Sequence, residues 1–281
     1  MTTRLSACLL FFALALLGCQ SEAESPAPDA SAPDETQADT AAVAAATPAE
    51  PAPETPALDP PSTASMANLY TIETPQGTMT VRLYDETPLH RDNFKRLVDE
   101  QFYDSTLFHR VISGFMIQGG DPNTRDDDDL MNDGQGGPGY TVPAEFVPSL
   151  IHRKGALAAA RQGDNVNPER ASSGSQFYIV QGQPFPEETI AEMEQRVRQQ
   201  IGDTTFTYSD EQRQLYATLG GYPPLDMQYT VFGEVVEGLE VLDRIASSPT
   251  PNQAGQRVPP PLGDRPLEPV WMVIRPAAEA L

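Results

Sequence analysis

The sequence predicts a mainly-β fold, a closed barrel or a sandwich, confined to the part of the chain after about Met66. Three observations carry this expectation. Short apolar or β-branched runs bounded by Gly, Pro, Asn or Asp recur from Leu69 onward. Helical spacing is rare there outside one long interval. Residues 20–65 are mostly Ala, Pro, Glu, Asp, Ser and Thr with almost no large apolar side chain, so they cannot bury enough surface to offset the entropy of ordering.

The folded elements follow in order. Asn68–Thr74 and Thr78–Tyr84 alternate apolar residues on either side of Pro75-Gln76-Gly77, which predicts a β-hairpin. Leu89, Phe94, Leu97 and Val98 recur at helical spacing after Pro88, a good first-turn residue, and predict a helix over 88–100. Leu107–Gln118, Ala156–Ala160, Gln176–Val180, Tyr229–Val235 and Pro269–Ile274 read as strands, and Leu239, Val241, Leu242 and Ile245 as a second helix. Between about 184 and 222 the period changes. Ile190, Met193, Val197 and Ile201 share one helical face before Gly202, and Ser209 with Gln212 forms a capping box ahead of Leu215, Tyr216 and Leu219. This predicts a two-helix insertion.

The N-terminus carries its own signals. Arg4 and the apolar run Leu9–Leu17, too short to span a bilayer, read as a signal peptide over 1–18. Leu16-Leu17-Gly18-Cys19 resembles the bacterial lipobox, which implies cleavage before Cys19 and lipidation of its thiol. Cys8 and Cys19 are the only cysteines, so the domain at 66–276 forms no disulfide. Residues 19–65 then form an acidic, Pro-rich tether. No Lys or Arg stands between Arg4 and Arg82, and a polyproline-like state would reach about 140 Å. The expected location is the cell envelope, on the periplasmic face of the outer membrane where the host is Gram-negative.

A net charge of −22 disfavours nucleic acid and anionic headgroups as partners, because both are recognised through Lys and Arg. The three histidines lie far apart, so no zinc site is expected. Gly134-Gln135-Gly136-Gly137-Pro138-Gly139 contains a G-x-G-x-x-G string but opens no helix, and Asp126–Asp129 departs from the EF-hand spacing. No metal and no cofactor is expected.

The chemistry is carried by Phe108-His109-Arg110-Val111-Ile112-Ser113-Gly114-Phe115-Met116-Ile117-Gln118-Gly119-Gly120-Asp121. With Gly155–Arg161 leading to Ser172–Val180, and Leu225–Val235 after them, it resembles the cyclophilin-type peptidyl-prolyl cis/trans isomerases in order and spacing. The resemblance implies a closed eight-stranded antiparallel β-barrel capped by two helices, with the active site on the outer face. It implies Arg110, Gln118 and Phe115 as catalytic residues, and Met116, Ala160, Arg161, Tyr178, Leu225 and Tyr229 as substrate-binding residues. Ala160 and Arg161 would act through their backbone. His109 looks catalytic in isolation, but its place in the family is structural. Pro224 stands where many members have Trp, so cyclosporin binding is expected to be weak.

Elementary chemistry agrees with such a set. Rotation about X-Pro is opposed by the partial double bond of the amide, a barrier of about 20 kcal/mol. Lowering it requires only a surface that fits the twisted amide better than either planar isomer. A guanidinium such as Arg110 can donate to the proline nitrogen, which regains a lone pair only when the amide is twisted. The expected partners are proline-containing unfolded or partly folded clients, met by a monomer held at the membrane. The alternative is a non-catalytic peptide-binding chaperone or scaffold lipoprotein with the same groove.

Overall fold

The computed structural model describes residues 68–125, 130–259 and 262–278. The expected signal peptide, Cys19, the tether and the run Asp126–Asp129 lie outside the described residues. In chain order the elements are β1 (Leu69–Thr74), β2 (Gly77–Leu83), α1 (Pro88–Asp99), β3 (Arg110–Ile112), β4 (Met116–Gly119), β5 (Thr141–Val142), β6 (Ala156–Ala159), β7 (Ser172–Ser173), β8 (Phe177–Val180), α2 (Glu187–Ile201), α3 (Asp210–Thr218), β9 (Val231–Glu237), α4 (Leu239–Ala246) and β10 (Val273–Pro276).

The β1–β2 hairpin closes with Thr74 opposite Gly77 and sets Ile72 against Met79, both fully buried. Pro88 occupies the first turn of α1 and its missing N–H costs nothing there. The run expected as one strand over Leu107–Gln118 is a hairpin. β3 and β4 pair antiparallel, and Gly114, at φ 76°, turns the chain in a left-handed conformation open to glycine without penalty. Ser113-Gly114 breaks an otherwise continuous apolar run. Two further strands, β5 and β7, pair only with each other and are two residues long, too short to leave a periodic signal.

Eight strands form one antiparallel sheet in the order β10-β1-β2-β9-β6-β8-β4-β3. The expected closed barrel is corrected here: the sheet curls but stays open, because the ladders end at β10 and β3. β3 is only three residues long and runs into its turn before it can pair with β10. The segments ahead of these two strands meet instead at the single bridge Leu107–Trp271, with Phe108 N–H donating to Val270 O (2.9 Å) and Met272 N–H to Thr106 O (2.9 Å).

Side chains alternate across a strand, so one row of each strand faces inward. Val111, Ile117, Ile179 and Leu157 stand opposite one another across successive ladders, and the row runs on through Gly233 to Leu83 on β2. A Cβ on Gly233 would lie 2.5 Å from the Arg82 carbonyl oxygen, so the close approach of β2 and β9 requires glycine. α1 packs on β9 and β10 through Phe94 and Leu97, and α4 packs on β2, β3 and β4 through Leu242 and Ile245. The two-helix insertion has a separate core of Ile190, Val197, Phe206, Tyr208 and Tyr216 with Ile151. Its capping box is present, Ser209 and Gln212 each bonding the other's backbone N–H. The described residues thus hold four α-helices, two against the sheet and two in the insertion.

His109, just before β3, is only 4% exposed, and burial pushes its imidazole pKa down to about 4. The unfolded chain, with its ordinary value near 6.5, therefore holds the extra proton between these two values. Stability is complete above the unfolded value and falls as pH drops through the folded one, by about 3 kcal/mol for this group. Urea unfolding should lose about that much more between pH 7 and pH 4 in the wild type than in His109→Gln; an equal loss in both would refute the assignment. Leu157→Ala, which empties the centre of the inner row, should cost about 2–5 kcal/mol in the same measurement at pH 7.

Candidate active site

The outer face of the same strands is apolar as well. β4 turns Met116 outward with Gln118 beside it, β8 turns Tyr178 and Val180, and β6 turns Ala156 and Ala158; the apolar ones form a second cluster. Register then sets the chemistry. Arg110 stands opposite Gln118, Gln118 opposite Tyr178, and Tyr178 opposite Ala158, one row across four strands.

A groove of about 470 Å³ lies over this row. Its lining brings together Arg110, Phe115, Met116, Gln118, Ala160, Arg161, Tyr178, Leu225 and Tyr229, the whole set expected within the domain. Cys19 lies outside the described residues. Phe177, by contrast, faces inward and belongs to the interior.

Arg110 is half-exposed, with Nη1 3.4 Å from Gln118 Oε1 and Nε 3.4 Å from Asp264 Oδ2. Gln118 is oriented from its other side, where Nε2 donates to Gln176 Oε1 at 3.0 Å. Gln176 in turn donates to the carbonyls of Gly134 (3.0 Å) and Gly136 (2.8 Å), so the glycine-rich loop fixes the amide that faces the guanidinium. Asp264 sits on a short 3-10 turn, Leu262–Asp264, and accepts from Asn252 Nδ2 at 2.7 Å. The adjacent Arg265 pairs with buried Asp133 and ties this turn to the groove's rim. Neither Gln176 nor Asp264 carries a local sequence signal: each acts through a partner far along the chain.

The apolar end is built from Phe115, packed 4.3 Å from the Tyr222 ring, from buried Met116, and from Leu225 on the 3-10 turn Pro223–Leu225. Tyr229 meets Tyr178 edge-on at 5.9 Å. The Arg161 guanidinium lies 4.5 Å above the Tyr229 ring and donates through Nε to Gln228 O at 2.8 Å. Its side chain thus braces one wall, a part that a backbone-only expectation leaves out. Both backbone groups of Ala160 are engaged within the protein, with Gln176 O (3.0 Å) and Ser173 N–H (2.8 Å).

Beneath Tyr178 lies a buried polar chain. The Tyr178 hydroxyl is 2.9 Å from His152 Nε2, and His152 Nδ1 is 2.7 Å from Asp226 Oδ1. The hydroxyls of Tyr208 and Tyr216 donate to Asp226 Oδ2 at 2.6 and 2.5 Å. Burial, reinforced by the Asp226 charge, raises the pKa of both tyrosines, which keeps them protonated donors. Burial raises Tyr178 as well, with Tyr229 and Asp226 adding to it. Among the described residues no three His, Cys, Asp or Glu side chains converge as a metal site. What the groove offers a ligand is one directed cation, one oriented amide and an apolar recess.

Comparison with known proteins gives the same picture. Residues 69–273 match the family model described as cyclophilin type peptidyl-prolyl cis-trans isomerase/CLD. A Staphylococcus haemolyticus protein named as a peptidyl-prolyl cis-trans isomerase is 34% identical over 181 residues, covering 63% of this chain and 79% of that one. A Streptococcus pyogenes protein named as a bifunctional phosphatase/peptidyl-prolyl cis-trans isomerase is 37% identical over 186 residues, 64% of this chain; the match spans only 34% of its length. The fold matches the crystal structure of a Cryptosporidium parvum cyclophilin type peptidyl-prolyl cis-trans isomerase with a TM-score of 0.50 and 23% identity, over 74% of this chain and 97% of that one. A match that runs from β1 to the start of β10 and takes in the strands that carry the groove means that this chain belongs to the family of cyclophilin-type peptidyl-prolyl cis-trans isomerases.

Proposed function

We propose that this chain accelerates rotation about X-Pro bonds in unfolded or partly folded proteins outside the cytoplasm, working from a lipid anchor at Cys19. The observation that carries the reading is the single outer row in which Arg110 and Gln118 stand beside the apolar recess of Phe115, Met116 and Leu225. The proline ring enters the recess. Arg110 donates to the proline nitrogen as the amide twists, Gln118 holds the guanidinium through Oε1 and donates its second Nε2 hydrogen to the substrate carbonyl, and no covalent bond is made. With the groups of Ala160 engaged internally, the backbone of Arg161 is the edge left for the client's own backbone. A barrier lowered by about 7 kcal/mol corresponds to about 10⁵-fold acceleration.

Arg110 acts on a nitrogen lone pair that is available only in the twisted state, so its removal should lower kcat and leave KM nearly unchanged. Exchange spectroscopy on an X-Pro peptide with the full-length protein should find kcat/KM reduced about 100-fold or more in Arg110→Ala. If the folded wild type binds such peptides without turning them over, the non-catalytic scaffold reading replaces this one.

The anchor supports the choice of clients. An acyl chain contributes about 0.8 kcal/mol for each buried methylene, and more than one chain makes attachment durable. The acidic arm between anchor and domain would let the groove search the volume near the membrane. Cys19→Ala should move the protein from the membrane fraction to the soluble fraction and abolish incorporation of a labelled fatty acid. Retention on membranes without Cys19 would overturn the anchoring.

A further inference from the structure

We propose that the two-helix insertion is a positioning element of the groove: through Asp226, Tyr208 and Tyr216 fix the wall formed by Tyr178, Leu225 and Tyr229. The inference rests on the isomerase reading above.

Asp226 is 1% exposed and accepts four hydrogen bonds. Two reach Oδ1, from the His152 backbone N–H (2.8 Å) and from Nδ1 of its ring (2.7 Å). Two reach Oδ2, from Tyr208 and Tyr216 of the insertion. Stability alone does not call for such a cage, since apolar groups of the same shape can replace a satisfied buried polar set at little cost. What the cage fixes is position.

Asp226 directly follows Leu225 and precedes Met227, whose φ of 60° is left-handed and strained for a residue other than glycine. The turn is closed by Gln228 N–H and Tyr229 N–H, both donating to Leu225 O at 3.0 and 3.2 Å. Two groove walls, Leu225 and Tyr229, therefore hang from one turn that the Asp226 carboxylate holds in place. The third wall, Tyr178, is reached through His152, whose ring also stacks on it at 14°. At the far end, Tyr208 is placed by its own N–H, which donates to Glu194 Oε2 at 2.9 Å. Glu194 is buried in α2, where Arg198 and Arg213 pair with it. A shift of α2 or α3 is thus transmitted to the recess by short, buried bonds.

These walls touch the proline ring in the planar and twisted states alike, so loosening them is a loss of uniform binding, read in KM more than in kcat. The test uses full-length wild type, Tyr216→Phe, Tyr178→Phe and the double variant, with melting temperature as the folding control. Tyr216→Phe should raise KM about fivefold to tenfold with kcat within about twofold of wild type. In the Tyr178→Phe background the same change should have a smaller effect, because the His152–Tyr178 branch is already cut while Leu225 and Tyr229 still hang from the Asp226 turn. An unchanged KM in folded Tyr216→Phe would overturn the proposal, and effects of the two changes that simply multiply would overturn its His152–Tyr178 branch. If Tyr216→Phe fails to fold, Tyr208→Phe removes the other donor and carries the same expectation. Wild-type turnover is measured first: its absence overturns the isomerase reading and this one with it, whereas its presence with an indifferent Tyr216→Phe overturns this one alone.

Discussion

A sheet that is apolar on both faces governs the rest of this molecule. Most antiparallel sheets bury one face and wet the other. Here the alternation along β4, β8 and β6 gives an inner row of Ile117, Ile179 and Leu157 and outer rows that carry Met116 opposite Val180 and Tyr178 opposite Ala158. The inner row finds its partners in α1, α4 and the curl of the sheet. The outer row must be covered by something else, and the chain supplies the turn Pro223–Leu225, Tyr229 and the base of the insertion. Coverage is incomplete, and the uncovered part is the groove. Arg110 lies at the end of the outer row, where an apolar surface meets solvent and a cation can stay hydrated while leaning over a recess.

Most of the architecture was legible in the sequence because each element carries a local period. The hairpin, the helix opening at Pro88, the capping box at Ser209 and the strands around Leu157 and Ile179 all announce themselves within a few residues. Openness of the sheet did not, because it depends on how far the ends of β3 and β10 run past each other, a property of two segments more than 150 residues apart. Reading Leu107–Gln118 as one strand failed for a smaller reason: Ser113-Gly114 was outweighed by the apolar run on either side. The error left the site intact, since a tight turn between Arg110 and Gln118 is what puts them opposite each other.

The groove itself was legible through a motif and not through periodicity. Met116 and Phe177 look alike as apolar strand residues, yet one faces out and one faces in. Parity relative to Arg110 and Gln118 separates them, and the motif supplies that parity. Asp264, Gln176, His152 and Asp226 stayed hidden because each is defined by a hydrogen bond across 26 to 154 residues of chain to a neighbour or a site residue. Tyr216 read only as part of the helix after the capping box and Tyr208 gave no signal; both are insertion core by their rings, and only the hydroxyls, aimed at one carboxylate, give them a second part.

The two faces of the sheet also separate two kinds of inheritance. Substitutions at Phe115, Leu225 or Tyr229 reshape what the groove accepts without touching the inner row that keeps the domain folded, because distant, unlinked sites contribute nearly independently. A lineage carrying this scaffold can therefore vary what the groove fits one residue at a time while its folding stays close to unchanged. Tyr178 is the exception. Bound to His152 behind it, it is the groove residue whose replacement must be accompanied by changes elsewhere, and the insertion would be expected to drift together with it.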